Sequence, residues 1–163
     1  MKVGVIGAGA WGTALAIVSA QGGADVVLWS YDGEYKHFEC AGVPENMKLT
    51  ANMDDLSDAD AWLIVTPAAF FRETLTKATN SYKGQPIIIC TKGAERETGA
   101  FTSEMLHDVL PQCHEFGVLS GPQFAAEVAC GVPTGSTLAG TESARKIGKQ
   151  ILNKLYIEES DDV

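Results

Sequence analysis

No apolar stretch in this 163-residue chain approaches the length of a membrane span. No leader of basic and then apolar residues opens it, and the first residues run straight into a strand-like segment. Positive charge is scarce: 12 Lys and Arg stand against 21 Asp and Glu, a formal net charge of −9. Nucleic acid and anionic membrane surfaces, which need clustered Lys and Arg, are thereby excluded as main partners. Internal repeats and low-complexity segments are lacking. Cysteine is sparse and unpatterned. Cys40, Cys90, Cys113 and Cys130 form no CxxC pair, so they read as free thiols of a reducing, cytoplasmic compartment. His107, Cys113 and His114 are near in sequence, but their spacing fits no common zinc pattern, and no metal is expected.

What is present is informative from the first residue. Lys2-Val3-Gly4-Val5-Ile6 reads as a buried strand, Gly7-Ala8-Gly9-Ala10-Trp11-Gly12 follows at once, and Thr13 to Ala20 is a helix-like apolar run. A second strand covers Asp25 to Trp29, with Asp32 just beyond it. This strand, GxGxxG, helix, strand, acid order is the unit that binds a dinucleotide pyrophosphate. Gly7 permits the tight turn, Gly9 lets the backbone approach the pyrophosphate, and Gly12 lets the helix pack close to the strand. The helix N-terminus offers unpaired N–H groups and partial positive charge. In so acidic a chain the phosphates must be held by such local donors. Asp32 either accepts from a ribose hydroxyl or begins the turn Asp32-Gly33.

Strand and helix signals alternate along the rest, which implies βαβ units in one domain. The expected fold is α/β: a Rossmann-type, doubly wound, mostly parallel sheet with helices on both faces. Glu34 to Ala41 is a candidate short helix, and a brief strand is expected near Met47 to Thr50. Asp54, Asp55, Asp58 and Asp60 read as solvated surface with a helix cap rather than paired catalytic carboxylates. Ala61 to Val65 is a strand, and Thr66-Pro67 opens a helix whose apolar stripe is Phe71, Leu75 and Ala78. Further strands are expected over 86–91, 116–119 and 134–138 and in the tail from 156. Helices are expected over 101–110 and 123–129 and around Ile147, Ile151, Leu152 and Leu155. In such sheets the ligand lies beyond the carboxyl ends of the strands. There the loops Gly7–Gly12, Thr66-Pro67, Thr91-Lys92-Gly93 and Ser120-Gly121-Pro122 converge.

Several segments, in order, are similar to one family. Residues 7–16, GAGAWGTALA, resemble the GAGSWGTALA that opens the bacterial NAD(P)-dependent glycerol-3-phosphate dehydrogenases. Thr91-Lys92-Gly93 with Glu97-Thr98-Gly99 is similar to their TKG…ETG, residues 119–128 to their LSGPSFAxEV, and residues 131–134 to their GLPT. Ketopantoate reductases and sugar-nucleotide dehydrogenases share the glycine loop but not this joint pattern. The resemblance implies interconversion of dihydroxyacetone phosphate and sn-glycerol 3-phosphate by hydride transfer with NAD or NADP, feeding phospholipid synthesis. It implies that Ala10, Trp11, Tyr31 and Ala125 contact the dinucleotide and that Phe70 lies near the nicotinamide. Lys92 would reach both cofactor and substrate, and Gly121 and Gln123 would line the substrate side. The plainer alternatives are a turn lysine for Lys92, core packing for Phe70 and a turn glycine for Gly121.

The resemblance also implies a second, helical domain bearing the lysine that protonates the carbonyl oxygen. This chain ends at residue 163, so residues 1–163 read as a single NAD(P)-binding domain with no catalytic residue of its own, inactive alone. The whole enzyme would be a homodimer and this piece a monomer. A stand-alone NAD(P)-binding sensor or docking module is the competing reading. Three departures matter. Tyr31 stands where many relatives carry Arg or His, which favours NADH over NADPH. Gln123 replaces Ser or Thr, and the segment Glu39–Lys48 is short.

Overall fold

Val3, Val5, Leu28, Leu63, Ile64 and Ile87 to Ile89 are all buried. Such aliphatic runs belong to strands covered on both faces. In the computed structural model, which describes residues 1–162, they form the centre of an eight-stranded sheet. Its strands are β1 (Lys2–Ile6), β2 (Asp25–Trp29), β3 (Met47–Thr50), β4 (Ala61–Ile64), β5 (Ile87–Ile89), β6 (Phe116–Ser120), β7 (Gly135–Gly140) and β8 (Tyr156–Ser160). The order is β3-β2-β1-β4-β5-β6-β7-β8. All neighbours are parallel except β6 and β7, which are antiparallel. Val5 lies level with Leu28 on one side and Leu63 on the other. Chain order reverses between β1 and β4, and this switch point is where such sheets bind ligands.

The helices are α1 (Ala10–Gln21), α2 (Ala68–Ala78), α3 (Thr102–Val109), α4 (Ala125–Ala129) and α5 (Glu142–Ile151). Strand residues alternate between two cores. Val3, Val5, Leu28, Leu63 and Ile88 join residues of α1, α4 and α5. Ile6, Trp29, Trp62, Ile64, Ile87 and Ile89 join residues of α2 and α3. Helices thus cover both faces, as the alternating pattern predicts. Helix α1 is buried from Gly12 to Ala20 because α4 packs on its outer side. A helix enclosed in this way is apolar all round. In α2 the expected stripe of Phe71, Leu75 and Ala78 is buried.

Two expectations are corrected. No helix forms over Glu34–Ala41. Gly33 turns the chain at φ +77°. Lys36 then donates its N–H to the Ala8 carbonyl and the Thr13 hydroxyl, and Phe38 and Ala41 pair as an antiparallel bridge. Backbone donors that a helix would use internally are spent on α1 and on this hairpin. Nor are all four cysteines free. Cys40 and Cys130 form a disulfide with Cα atoms 5.4 Å apart, while Cys90 and Cys113 are free and buried. The pairing arises from folding the β2–β3 segment toward α4, which no local spacing reveals.

The acidic cluster is structural, as expected. Asn52, not an aspartate, caps the short 3-10 turn Met53–Leu56, while Asp55 accepts from the Thr50 hydroxyl and Asp60 from the Lys2 backbone N–H.

Candidate functional site

The glycine turn is built by close backbone approach. Gly7 has φ +116°, and its N–H donates to the Trp29 carbonyl at 3.0 Å. A Cβ on Gly12 would lie 1.8 Å from the Gly7 carbonyl oxygen and 3.4 Å from the Val65 Cβ. Gly12 therefore serves the turn itself first and the approach to the β4 end second. A Cβ on Gly9 would meet nothing within 4 Å, since that position faces open space. Gly9 is also the N-cap of α1 and supplies no side-chain acceptor, and the first turn holds no acid. The N-terminal N–H groups of α1 are left for a ligand.

In front of them lies a cleft of about 1070 Å³ at the carboxyl edge of the sheet. Of the expected site residues, Gly7, Gly9, Ala10, Trp11, Tyr31, Asp32, Phe70, Lys92, Gln123 and Ala125 line it. Gly12 and Gly121 do not. Gly12 lies behind the turn. A Cβ on Gly121 would lie 2.8 Å from the Gly135 carbonyl oxygen, so its smallness serves packing against β7, while its own carbonyl accepts from Lys92 Nζ at 3.4 Å. Phe70 is 57 % exposed, which removes core packing as its reason.

Three buried polar atoms among the lining residues have no hydrogen-bond partner: Trp11 Nε1, Thr66 Oγ1 and Gln123 Nε2. Unpaired buried donors and acceptors are costly and rare. Thr66, whose loop the sequence places at the ligand edge without singling out the residue, is among the lining residues. Its signal was its place at the end of β4, beside the switch point. Asp32 begins the turn and also lines the cleft. One oxygen accepts from the Ser30 hydroxyl at 2.7 Å and from the Glu34 N–H at 3.1 Å. The Ser30 bond, followed by the Glu34 N–H, holds its carboxyl below the usual range. Its second oxygen accepts nothing from the described residues.

Among the described residues Lys92 has no carboxylate partner, and its Nζ lies 5.8 Å from the centre of the Trp11 ring. Lys77, in contrast, is tied to Glu73 at 2.7 Å and lies 5.1 Å over the Tyr31 ring. The loop that carries Lys92 is braced by Arg72 of α2, which pairs with Glu95 at 2.8 Å and Asp108 at 2.9 Å. No group of three or more potential metal ligands gathers among the described residues, and no helix is long and apolar enough to cross a membrane.

Residues 2–146 match the profile of the family described as NAD-dependent glycerol-3-phosphate dehydrogenase N-terminus. A glycerol-3-phosphate dehydrogenase [NAD(P)+] from Parvibaculum lavamentivorans is 41% identical over 150 residues, covering 85% of this chain and 45% of that protein. The crystal structure of glycerol-3-phosphate dehydrogenase from Coxiella burnetii superposes with a TM-score of 0.86 at 28% identity, over 99% of this chain and 54% of the other. A ketopantoate reductase from Ralstonia eutropha is 14% identical at a TM-score of 0.74, covering all of this chain and 57% of that one, and shares the fold alone. The chain spans about half the length of the curated relatives it matches. With its glycine turn, its switch-point cleft and a profile match over nearly its whole length, the chain belongs to the NAD-dependent glycerol-3-phosphate dehydrogenase family, in the N-terminal part of those proteins.

Proposed function

We propose that residues 1–162 form one NAD(P)-binding domain that serves the interconversion of dihydroxyacetone phosphate and sn-glycerol 3-phosphate. The observation that carries this is the cleft of about 1070 Å³ before the uncapped α1 terminus, lined by the glycine turn, Asp32 and Lys92. A dinucleotide fits this donor set: backbone N–H groups for the pyrophosphate, a free carboxylate oxygen for a ribose, and apolar walls for the rings. When bound, the nicotinamide gives or takes the hydride.

The chain's own residues bind and orient. The N–H groups of Ala10 and Trp11 hold the pyrophosphate through the space that Gly9 leaves, while Gly7 and Gly12 hold the turn. Asp32 accepts from a ribose hydroxyl, and Tyr31 forms the adenine wall without a cation for a 2′-phosphate, so NADH is favoured over NADPH. Phe70 and Ala125 wall the nicotinamide end. Lys92 reaches both ligands as a compact cation beside the reacting carbonyl or the substrate phosphate. Gln123 donates to the substrate, and Gly121 fixes Lys92 through its carbonyl. Hydride transfer needs the reacting carbons about 3–3.5 Å apart and an acid for the developing alkoxide. This domain supplies the first half of that requirement, and the acid comes from outside it. Such a reaction belongs where dinucleotides are held, in the cytoplasm.

Calorimetric titration of the purified chain with NADH, then NADPH, tests the reading. Saturable binding with NADH tighter, and negligible dihydroxyacetone phosphate reduction followed by NADH absorbance, is expected. No binding at millimolar cofactor would overturn the assignment, and robust turnover would overturn the external acid.

A further inference from the structure

The Cys40–Cys130 bond is not used by any step above, yet it joins two segments that also supply residues to the cleft. Cys40 lies at the tip of the Phe38–Ala41 hairpin, where the Ala41 N–H donates to the Phe38 carbonyl at 3.2 Å. Cys130 closes α4, its N–H donating to the Ala126 carbonyl at 3.1 Å. The segment that carries Cys40 also supplies Glu34, Tyr35 and Lys36 to the cleft, and the helix that ends at Cys130 supplies Ala125. The bond thus ties two cleft walls that are 90 residues apart in the chain. Little else fastens the hairpin. From His37 to Val43 no hydrogen bond leaves the segment among the described residues. Half-buried apolar contacts from Phe38 and Ala41 and the packing of the His37 ring on Tyr35 add to the bond.

Access divides the cysteines. Cys40 and Cys130 are exposed, within reach of soluble thiols and disulfides. Cys90 and Cys113 are buried, and burial pushes both thiols up, away from the reactive thiolate form. Exposed disulfides are the labile kind.

We infer that Cys40 and Cys130 are a reversible dithiol–disulfide site that fastens the β2–β3 wall of the cleft to α4, so that reduction weakens dinucleotide binding. The fastening stands on the geometry, whereas its effect on the dinucleotide rests on the proposed function. The oxidant is a low-molecular-weight disulfide. One protein thiolate attacks it, forming a mixed disulfide and releasing one small thiolate. The second protein thiolate attacks the protein sulfur of that mixed disulfide, forming the Cys40–Cys130 bond and releasing the other. Two protein thiols are oxidised, one external disulfide is reduced to two thiols, and the two protons pass to the departing thiolates. A dithiol reductant reverses both exchanges. With the wall fastened the cleft is pre-organised, and with it free the segment must be ordered at the moment of binding.

The test uses the purified chain treated with glutathione disulfide or with dithiothreitol. Titration under denaturing conditions is expected to find two free thiols in the oxidised form and four in the reduced form. Amide exchange at Ala41, the one N–H of residues 37–43 that donates a hydrogen bond among the described residues, is expected to be about tenfold faster after reduction. NADH affinity is expected to fall about fivefold, and Cys40→Ser and Cys130→Ser are each expected to match the reduced chain and ignore dithiothreitol. Four free thiols after oxidation, equal exchange in both forms, or equal NADH affinity would each overturn the inference. Exchange that differs while neither form binds NADH supports the fastening and overturns the cofactor reading instead.

Discussion

A Cβ on Gly12 would lie 1.8 Å from the carbonyl oxygen of Gly7, whereas one on Gly9 would project into open space. The two glycines therefore answer to different demands. Gly12→Ala is expected to cost about 3 kcal/mol through overpacking against backbone that cannot yield, lowering the melting temperature by roughly 6–12 °C. Gly9→Ala is expected to change stability by less than about 0.5 kcal/mol. It should nevertheless weaken NADH about tenfold or more, a loss of about 1.4 kcal/mol. Thermal melts and calorimetry on both variants separate the cases. A Gly9→Ala chain that binds as well as the parent would remove the pyrophosphate from that space.

Tyr31 offers no positive charge, and Lys77 beside it is neutralised by Glu73. Tyr31→Arg adds a planar cation suited to a phosphate. It should raise NADPH affinity relative to NADH about tenfold, with an effect that shrinks as salt is added. An unchanged ratio would mean that the ribose end does not lie beside residue 31.

Lys92 lines the cleft without a carboxylate partner among the described residues, and the proposed function assigns it the substrate phosphate. Lys92→Gln is expected to weaken dihydroxyacetone phosphate binding to the NADH-saturated chain about tenfold, with the melting temperature unchanged, since Lys92 holds no carboxylate. A lowered melting temperature with unchanged binding would make it a structural turn lysine.

Acid should act through Glu95. The Arg72 guanidinium, then the Thr98 hydroxyl, hold its carboxyl below the ordinary value of 4.5. A depressed carboxylate contributes stability above its unfolded value, and that contribution is lost as pH falls through the folded one. Glu95→Gln should therefore melt below the parent near neutral pH, with the gap closing as pH drops under 4.5. The Arg72 side chain is 35% exposed, so screening keeps the gap modest and salt narrows it. A gap that widens in acid would contradict the pairing.

Where determinants are local, the sequence was readable. The glycine turn needs Gly7 and Gly12 for contacts within its own few residues, and the flanking strands carry their own aliphatic runs. The stripe of Phe71, Leu75 and Ala78 fixed the buried face of α2, and Phe70, turned away by about 100° per residue, falls on the cleft side. What escaped was set by distant parts of the chain. Glu34–Ala41 has helix-compatible residues, but its Lys36 N–H is shared between the Ala8 carbonyl and the Thr13 hydroxyl, and its Ala41 N–H goes to Phe38. Cys40 finds Cys130 only once the sheet has brought α4 over α1. The Thr66 hydroxyl is buried without a partner beside the Gly7 turn, a circumstance with no local signature.

The enclosure of α1 has a kinetic meaning. From Gly12 to Ala20 the helix has no wet face, so its amides meet water only when α4 or the sheet lets go. Its ligand-facing end is therefore anchored in the part of the molecule slowest to open. Ala10 and Trp11, the first residues of that end, precede the enclosed stretch, Ala10 exposed and Trp11 half-buried, and are tied to it by the helix they open.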